Sequence, residues 1–186
     1  MNTFFAVVVF TSLVGCTKDR LPEPIDQPAP SPDDTVVERH TLMINEFVAR
    51  GSVNVNEYGN AEDWIEIFNP AFQAITLAAG RWYVSDGGLQ EPNKYLLPEL
   101  TLPARGFLVI WCDNLNTVDQ QIHTNFALSS AGEHLVIFYD DGSETGIVVD
   151  DYAYGAQEPA ISEGRNPDGG DVWQFYNEPT PGQSNQ

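Results

Sequence analysis

From Leu42 to the end of the chain, no stretch of ten or more residues carries the apolar spacing of an amphipathic helix. Short runs rich in Val, Ile, Phe, Tyr and Trp take its place, bounded by Gly, Pro, Asn and Asp. The spacing predicts strands over Thr41–Ala49, Asp63–Phe68, Ala74–Leu77, Trp82–Ser85, Lys94–Leu97, Phe107–Cys112, His134–Tyr139, Gly146–Tyr152 and Val172–Phe175. The separators carry turn chemistry: Asn69-Pro70, Asp86-Gly87-Gly88, Asp141-Gly142 and Asp168-Gly169-Gly170 supply a preset φ or tolerate a positive one. Asp140-Asp141-Gly142-Ser143, between two apolar runs, is the clearest hairpin. Seven to nine short strands at this spacing imply an all-β fold, an immunoglobulin-like β-sandwich or a barrel-like variant. About 140 residues suffice for one core.

Two faces can be assigned on the second run. With a period of two, Asp63, Ile65 and Ile67 share one face and Trp64, Glu66 and Phe68 the other. The two carboxylates point oppositely and make a poor acid–base pair. Glu66, set between aromatics, is expected to be partly buried and to need a partner: a structural ion pair, with Arg81 and Arg165 as candidates, or backbone hydrogen bonds, rather than a catalytic role. Trp64, Trp82, Trp111 and Trp173 are expected in the core or at strand edges rather than on a ligand platform.

Charge narrows the partners. The chain holds 8 Lys+Arg against 27 Asp+Glu, a formal charge of −19. From Leu42 onward there are 21 acids and 5 bases, so the strand-rich part alone carries −16. Binding to a phosphate backbone releases counterions to Lys and Arg, and few are on offer. Nucleic acid is therefore not expected as a partner, nor unaided adhesion to anionic lipid; a soluble, self-repelling surface or a cationic partner is.

Before the strands comes a tether. Pro22, Pro24, Pro28, Pro30 and Pro32 fall within eleven residues, interleaved with Glu23, Asp26, Asp33 and Asp34. Such a segment excludes helix and central strand and favours a disordered, extended linker at about 3.1 Å per residue. Ahead of it, Phe4 to Val14 is almost uninterruptedly apolar. That is too short for the roughly 20 residues of a membrane-spanning helix and fits the h-region of a signal peptide. Leu13-Val14-Gly15-Cys16 resembles a lipobox, whose cysteine becomes the acylated first residue of a bacterial lipoprotein. Met1-Asn2-Thr3 departs from the pattern, since an n-region is normally positive. The expected organisation is a signal peptide over 1–15, lipidated Cys16 with a linker to residue 40, and a β-domain over 41–186.

The lipobox resemblance implies a diacylglyceryl thioether and an amide-linked chain at Cys16, enough to hold a protein stably on a membrane. Thr17 stands where an aspartate would signal inner-membrane retention, so the resemblance implies the outer membrane, facing periplasm or surface. With Cys16 acylated, Cys112 has no partner; within Phe107–Cys112 it is expected to be a buried small hydrophobe.

A second resemblance covers roughly residues 42 to 185. Ile44-Asn45-Glu46, Asp63-Trp64-Ile65-Glu66-Ile67-Phe68-Asn69-Pro70 and Gly80-Arg81-Trp82-Tyr83-Val84-Ser85-Asp86 resemble the opening of a bacterial lamin-tail domain. Leu102-Pro103-Ala104-Arg105-Gly106-Phe107, His123-Thr124-Asn125-Phe126-Ala127-Leu128-Ser129 and Gly132-Glu133 resemble its middle. Ser162-Glu163-Gly164-Arg165, Pro167-Asp168-Gly169 and Pro179-Thr180-Pro181-Gly182-Gln183-Ser184-Asn185 resemble its end. The resemblance implies an immunoglobulin-like β-sandwich of the secreted or surface proteins of bacteria, here with no enzyme domain beside it.

Candidate chemistry is sparse. Asn54, Asn56, Glu57, Glu62 and Asp63 gather oxygen ligands near one turn, and calcium takes 6–8 such oxygens; the spacing is not that of an EF-hand. Asp113, Asn114, Asn116 and Asp119, and the pair Asp150-Asp151, are lesser calcium candidates. His40, His123 and His134 are scattered, with no HExxH or paired CxxC; His123-Thr124-Asn125 is expected to be a turn bonded to backbone. There is no Gly-x-Ser-x-Gly elbow and no phosphate-binding glycine loop. The expected protein is a lipid-anchored, non-catalytic envelope module that contacts protein or glycan. The rivals are calcium-assisted adhesion and an extracellular hydrolase of unrecognised type.

Overall fold

The computed structural model describes residues 41–185; Cys16 and the whole of 1–40 lie outside them. Thirteen strands follow in order: β1 (Met43–Val48), β2 (Asp63–Phe68), β3 (Ile75–Leu77), β4 (Trp82–Ser85), β5 (Tyr95–Leu96), β6 (Leu100–Leu102), β7 (Phe107–Cys112), β8 (Thr117–Val118), β9 (Ile122–His123), β10 (Glu133–Tyr139), β11 (Ile147–Tyr154), β12 (Ser162–Arg165) and β13 (Trp173–Tyr176). They form a seven-stranded sheet in the order β13-β12-β1-β2-β7-β9-β8, a four-stranded sheet β11-β10-β4-β5 and a two-stranded sheet β3-β6. Among the strand pairs of the described residues, only β7 and β9 run parallel. The domain is all-β and of sandwich type.

Alternation explains the core. Ile65 and Ile67 of β2, Ile110 and Cys112 of β7, Trp82 and Val84 of β4, and Leu135 and Ile137 of β10 meet in one cluster between the sheets. Each such side chain contributes about 1.5–3 kcal/mol on full burial. Cys112 is buried as expected, and burial pushes its thiol well up. On the opposite face of the seven-stranded sheet, Trp64, Trp111 and Val48 form a second, smaller cluster.

One irregularity positions the polar residues described below. In β1, Ile44 lies opposite Ile67 and Glu46 opposite Glu66, so two residues of β1 face one of β2. This is a β-bulge. It turns both Asn45 and Glu46 outward between the core residues Ile44 and Phe47.

All nine expected strands are present, three with the expected ends and the others with ends shifted by at most two residues. The hairpin at Asp140–Ser143 joins β10 to β11, with Gly142 at a φ of 87°. Four further strands lack an apolar run: β6, β8, β9 and β12. β12 reads Ser-Glu-Gly-Arg, yet all four residues are buried and it lies between β1 and β13. His123-Thr124-Asn125, expected as a turn, begins in β9; Thr124 and Asn125 bond the Phe126 and Lys94 carbonyls as expected, whereas the His123 ring bonds side chains.

Candidate functional site

The outer face of β1, β2 and β12 carries three carboxyl groups. Glu46 and Glu66 are direct cross-strand partners, both fully buried. Asp168 joins them from the loop after β12, and the segment 180–185 lies over all three as a strap. Thr180 donates to Glu46 from its N–H (3.1 Å) and its hydroxyl (3.0 Å). Gly182 N–H donates to Glu66 at 2.6 Å. Asn185 N–H donates to Asp168 at 2.9 Å, and the Ser184 hydroxyl adds a second bond there. From below, Ser162 donates to Glu46, while the Asn45 amide bridges Glu66 and Asp168 at 3.0 Å each. Gly164 allows the strap its close approach: a Cβ there would lie 2.8 Å from the Asn185 amide nitrogen and 3.0 Å from Glu46 Cγ.

Every donor to Glu66 is neutral. Burial pushes Glu66 up to about 8; bonds from Asn45 and Gly182 lower it in part, and Glu46 and Asp168 raise it again. Burial raises Glu46 as well, against the bonds from Ser162 and Thr180. This corrects the expected ion pair of Glu66 with Arg81 or Arg165. Arg81 donates to the Asp140 carbonyl at 2.9 Å, with the Asp140 carboxylate 3.9 Å away. Arg165 lies on the other face: Gly164 faces the strap, so alternation sends its neighbours inward. There Arg165 meets Asp150 at 3.0 Å, donates to the carbonyls of Ile44 and Gly170, and stacks over Trp173 at 4.7 Å.

A second buried polar centre sits near the other edge of the same sheet. His123, fully buried, lies between Asp113 (Nδ1 to Oδ2, 2.7 Å) and Glu57 (Nε2 to Oε2, 3.0 Å). Gln121 and Glu57 exchange bonds, each backbone N–H donating to the other's side chain at 3.0 Å. Tyr58 stacks on His123 at 5.3 Å, and its hydroxyl donates to Asp119. Burial alone would raise Glu57; bonds from its own backbone, Gln121 and His123 outweigh it and hold the acid below the usual carboxylate range.

This arrangement also redistributes the expected calcium ligands. Asn56 turns its carbonyl oxygen to the N–H groups of Tyr58 and Asn60, and Glu57 faces His123. Asp63 accepts from Gly51 N–H, and Asn54 from Ser52. Glu57, Glu62 and Asp63 do not converge: among the described residues no group of three or more His, Cys, Asp or Glu side chains could hold a metal ion. Burial pushes Asp63 up to about 6, against its bond from Gly51 and with Glu62 and Glu133 adding to the rise. The lesser candidates are likewise engaged, Asp150 by Arg165, Asp151 by His134 and Asp119 by Tyr58.

The strand-period reading located Glu66 but not Glu46, Asn45, Asp168 or the partners of His123. Glu46 carried the same signal as Glu66, an acid inside an otherwise apolar run, and Asn45 lies beside it in that run; Asp168 and the partners of His123 sit in polar stretches with no local mark. On the far side of the sheet, β13 borders an open groove of about 610 Å³ lined by Gln174, Phe175, Tyr176, Asn177, Glu178 and Thr180. An acidic, sandwich-type domain with internally bonded carboxylates is the class these observations define. No protein-family model matches the chain, and no curated protein matches it.

Proposed function

We propose that this chain is a bacterial envelope lipoprotein, acylated at Cys16 and held at the outer membrane. A linker to residue 40 would carry a lamin-tail-like, immunoglobulin-like sandwich that serves as a non-catalytic interaction or structural module contacting protein or glycan. One observation supports the module reading above the rest. The side chains that most resemble catalytic groups are bonded to one another or to the strap: His123, Glu46 and Glu66 are fully buried, and the carboxylates of Glu57 and Asp113, in half-buried residues, face the His123 ring. A general base must come within hydrogen-bond reach of a substrate proton, and these are enclosed. The lipobox-like Leu13-Val14-Gly15-Cys16 supports the anchor.

Labelling cells with an alkyne fatty acid tests the anchor: incorporation is expected in the wild type and lost in Cys16→Ala. Incorporation that persists in that variant refutes acylation at Cys16. Cross-linking in the native envelope tests the module, with a discrete captured component expected.

A further inference from the structure

We propose that the open edge of β13 takes an extended, cationic segment of a partner protein as an added strand, an inference that rests on reading the domain as an interaction module. β13 ends the seven-stranded sheet, and among the described residues it pairs only with β12. Exposed edges in natural sheets are blunted by charges, proline, bulges or extreme shortness. At the opposite edge β8 is two residues long. β13 has none of these devices: Trp-Gln-Phe-Tyr holds no charge and no proline, and its register with β12 is unbroken.

The register also shows which backbone groups are available. Asn166 N–H donates to the Val172 carbonyl at 2.8 Å, which makes that pair a hydrogen-bonded position. Hydrogen-bonded and non-bonded positions alternate along an antiparallel pair. Trp173, opposite Arg165, and Phe175, opposite Glu163, fall at non-bonded positions. Their N–H and C=O groups point away from β12, toward the free edge. The Phe175 ring is 59 % exposed and lines the groove beside this edge, giving an apolar contact for alternate side chains of an added strand.

Charge selects the occupant. Asp171 precedes β13, Glu178 lines the groove, and Arg165, the cation nearest in register, is buried against Asp150. A second copy of the chain would set these acidic rims against each other; a segment alternating basic and apolar residues matches both the charge and the exposed ring.

The test uses the full acylated chain in a nonionic detergent and a fluorescent eight-residue peptide of alternating Lys and Val, with protein-free micelles as blank. Anisotropy should show saturable binding, lost when Glu replaces Lys. N-methylation of alternate peptide nitrogens, which keeps charge and apolar surface but removes the donors, should weaken binding by about tenfold or more. Phe175→Pro removes the outward N–H without touching a bond to β12 and should do the same; Phe175→Ala should weaken binding about threefold. Should the proline variant fail to fold, the N-methylated peptide on the wild type decides. Equal binding of the methylated peptide, no binding at all, or self-association abolished by the Phe175 variants would each overturn the proposal. In envelope cross-linking, the same component captured by wild type and Phe175→Pro overturns the β13 edge and leaves the module reading standing. Capture of nothing by the wild type removes that reading and the edge with it.

Discussion

Glu66 on β2 and Glu57 beside β9 are both turned away from solvent on one sheet, yet burial pushes the first up to about 8 while the second is held below the carboxylate range. Both accept backbone N–H bonds, from Gly182 and from Gln121 respectively. At Glu57 desolvation is outweighed by the bonds from its own backbone and Gln121, and then His123; at Glu66 desolvation wins. Glu57 has the His123 ring at 3.0 Å, whereas Glu66 has two more carboxyl groups, Glu46 and Asp168, as neighbours. Neighbouring carboxyl groups add to the rise at Glu66, whereas backbone N–H donors do most to lower Glu57. Counting hydrogen bonds without weighing desolvation therefore says little about which buried acid is ionised.

The largest expected effect comes from removing the His123 ring. His123→Ala leaves a cavity and strips Glu57 and Asp113 of the ring nitrogens they face, and should cost about 2–4 kcal/mol in chemical denaturation. A loss under about 1 kcal/mol would mean that the two carboxylates do not depend on the ring, and the contrast would collapse.

The pH profile comes next. Glu66 has a folded value above its unfolded one, so its stabilising contribution is complete below about 4.5 and is lost as pH rises through about 8. Glu46 and Asp63, also raised, act in the same direction. Glu57 acts oppositely: its contribution is present above about 4.5 and lost as pH falls through its lowered value. Stability should thus peak near pH 5 and decline toward pH 8 by on the order of 3 kcal/mol. Glu66→Gln should flatten, though not abolish, that decline. Identical slopes for variant and wild type would show that Glu66 is ionised throughout.

Gly164→Ala sharpens the comparison from the strap side. The added Cβ meets Asn185 and Glu46, so the strap must shift, at about 1–3 kcal/mol. Limited proteolysis should then clip the 180–185 segment sooner, with no change around His123. Smallest of all, millimolar CaCl₂ should leave the melting temperature unmoved, because Glu57, Glu62 and Asp63 do not converge on a cation site; a rise reversed by chelator would restore the calcium reading.

Much of this was legible in the chain. Turn chemistry and β-rich runs located nine strands, and the period of two put Glu66 on the face opposite Ile65 and Ile67. Burial of Trp64, Trp82 and Cys112 was expected from residue type and, for Cys112, from its apolar run. β12 escaped because Ser-Glu-Gly-Arg shows no apolar pattern; distant groups make its burial tolerable. Tyr152 and Gln157 bond Glu163, and Asp150 meets Arg165.

What the amino-acid order determines by itself is whatever depends on neighbours in the chain: where the strands run, where they turn, and which side chains share a face. Which acid meets a cation was decided only by tertiary structure. The bulge at Asn45 sends Glu46 outward against Glu66, and the register of β12 turns Arg165 inward to Asp150. The first choice is set in the β1–β2 ladder and the second by the pairing of β12 with β1, whose Arg165–Ile44 bond spans 121 residues; no local periodicity carries that information.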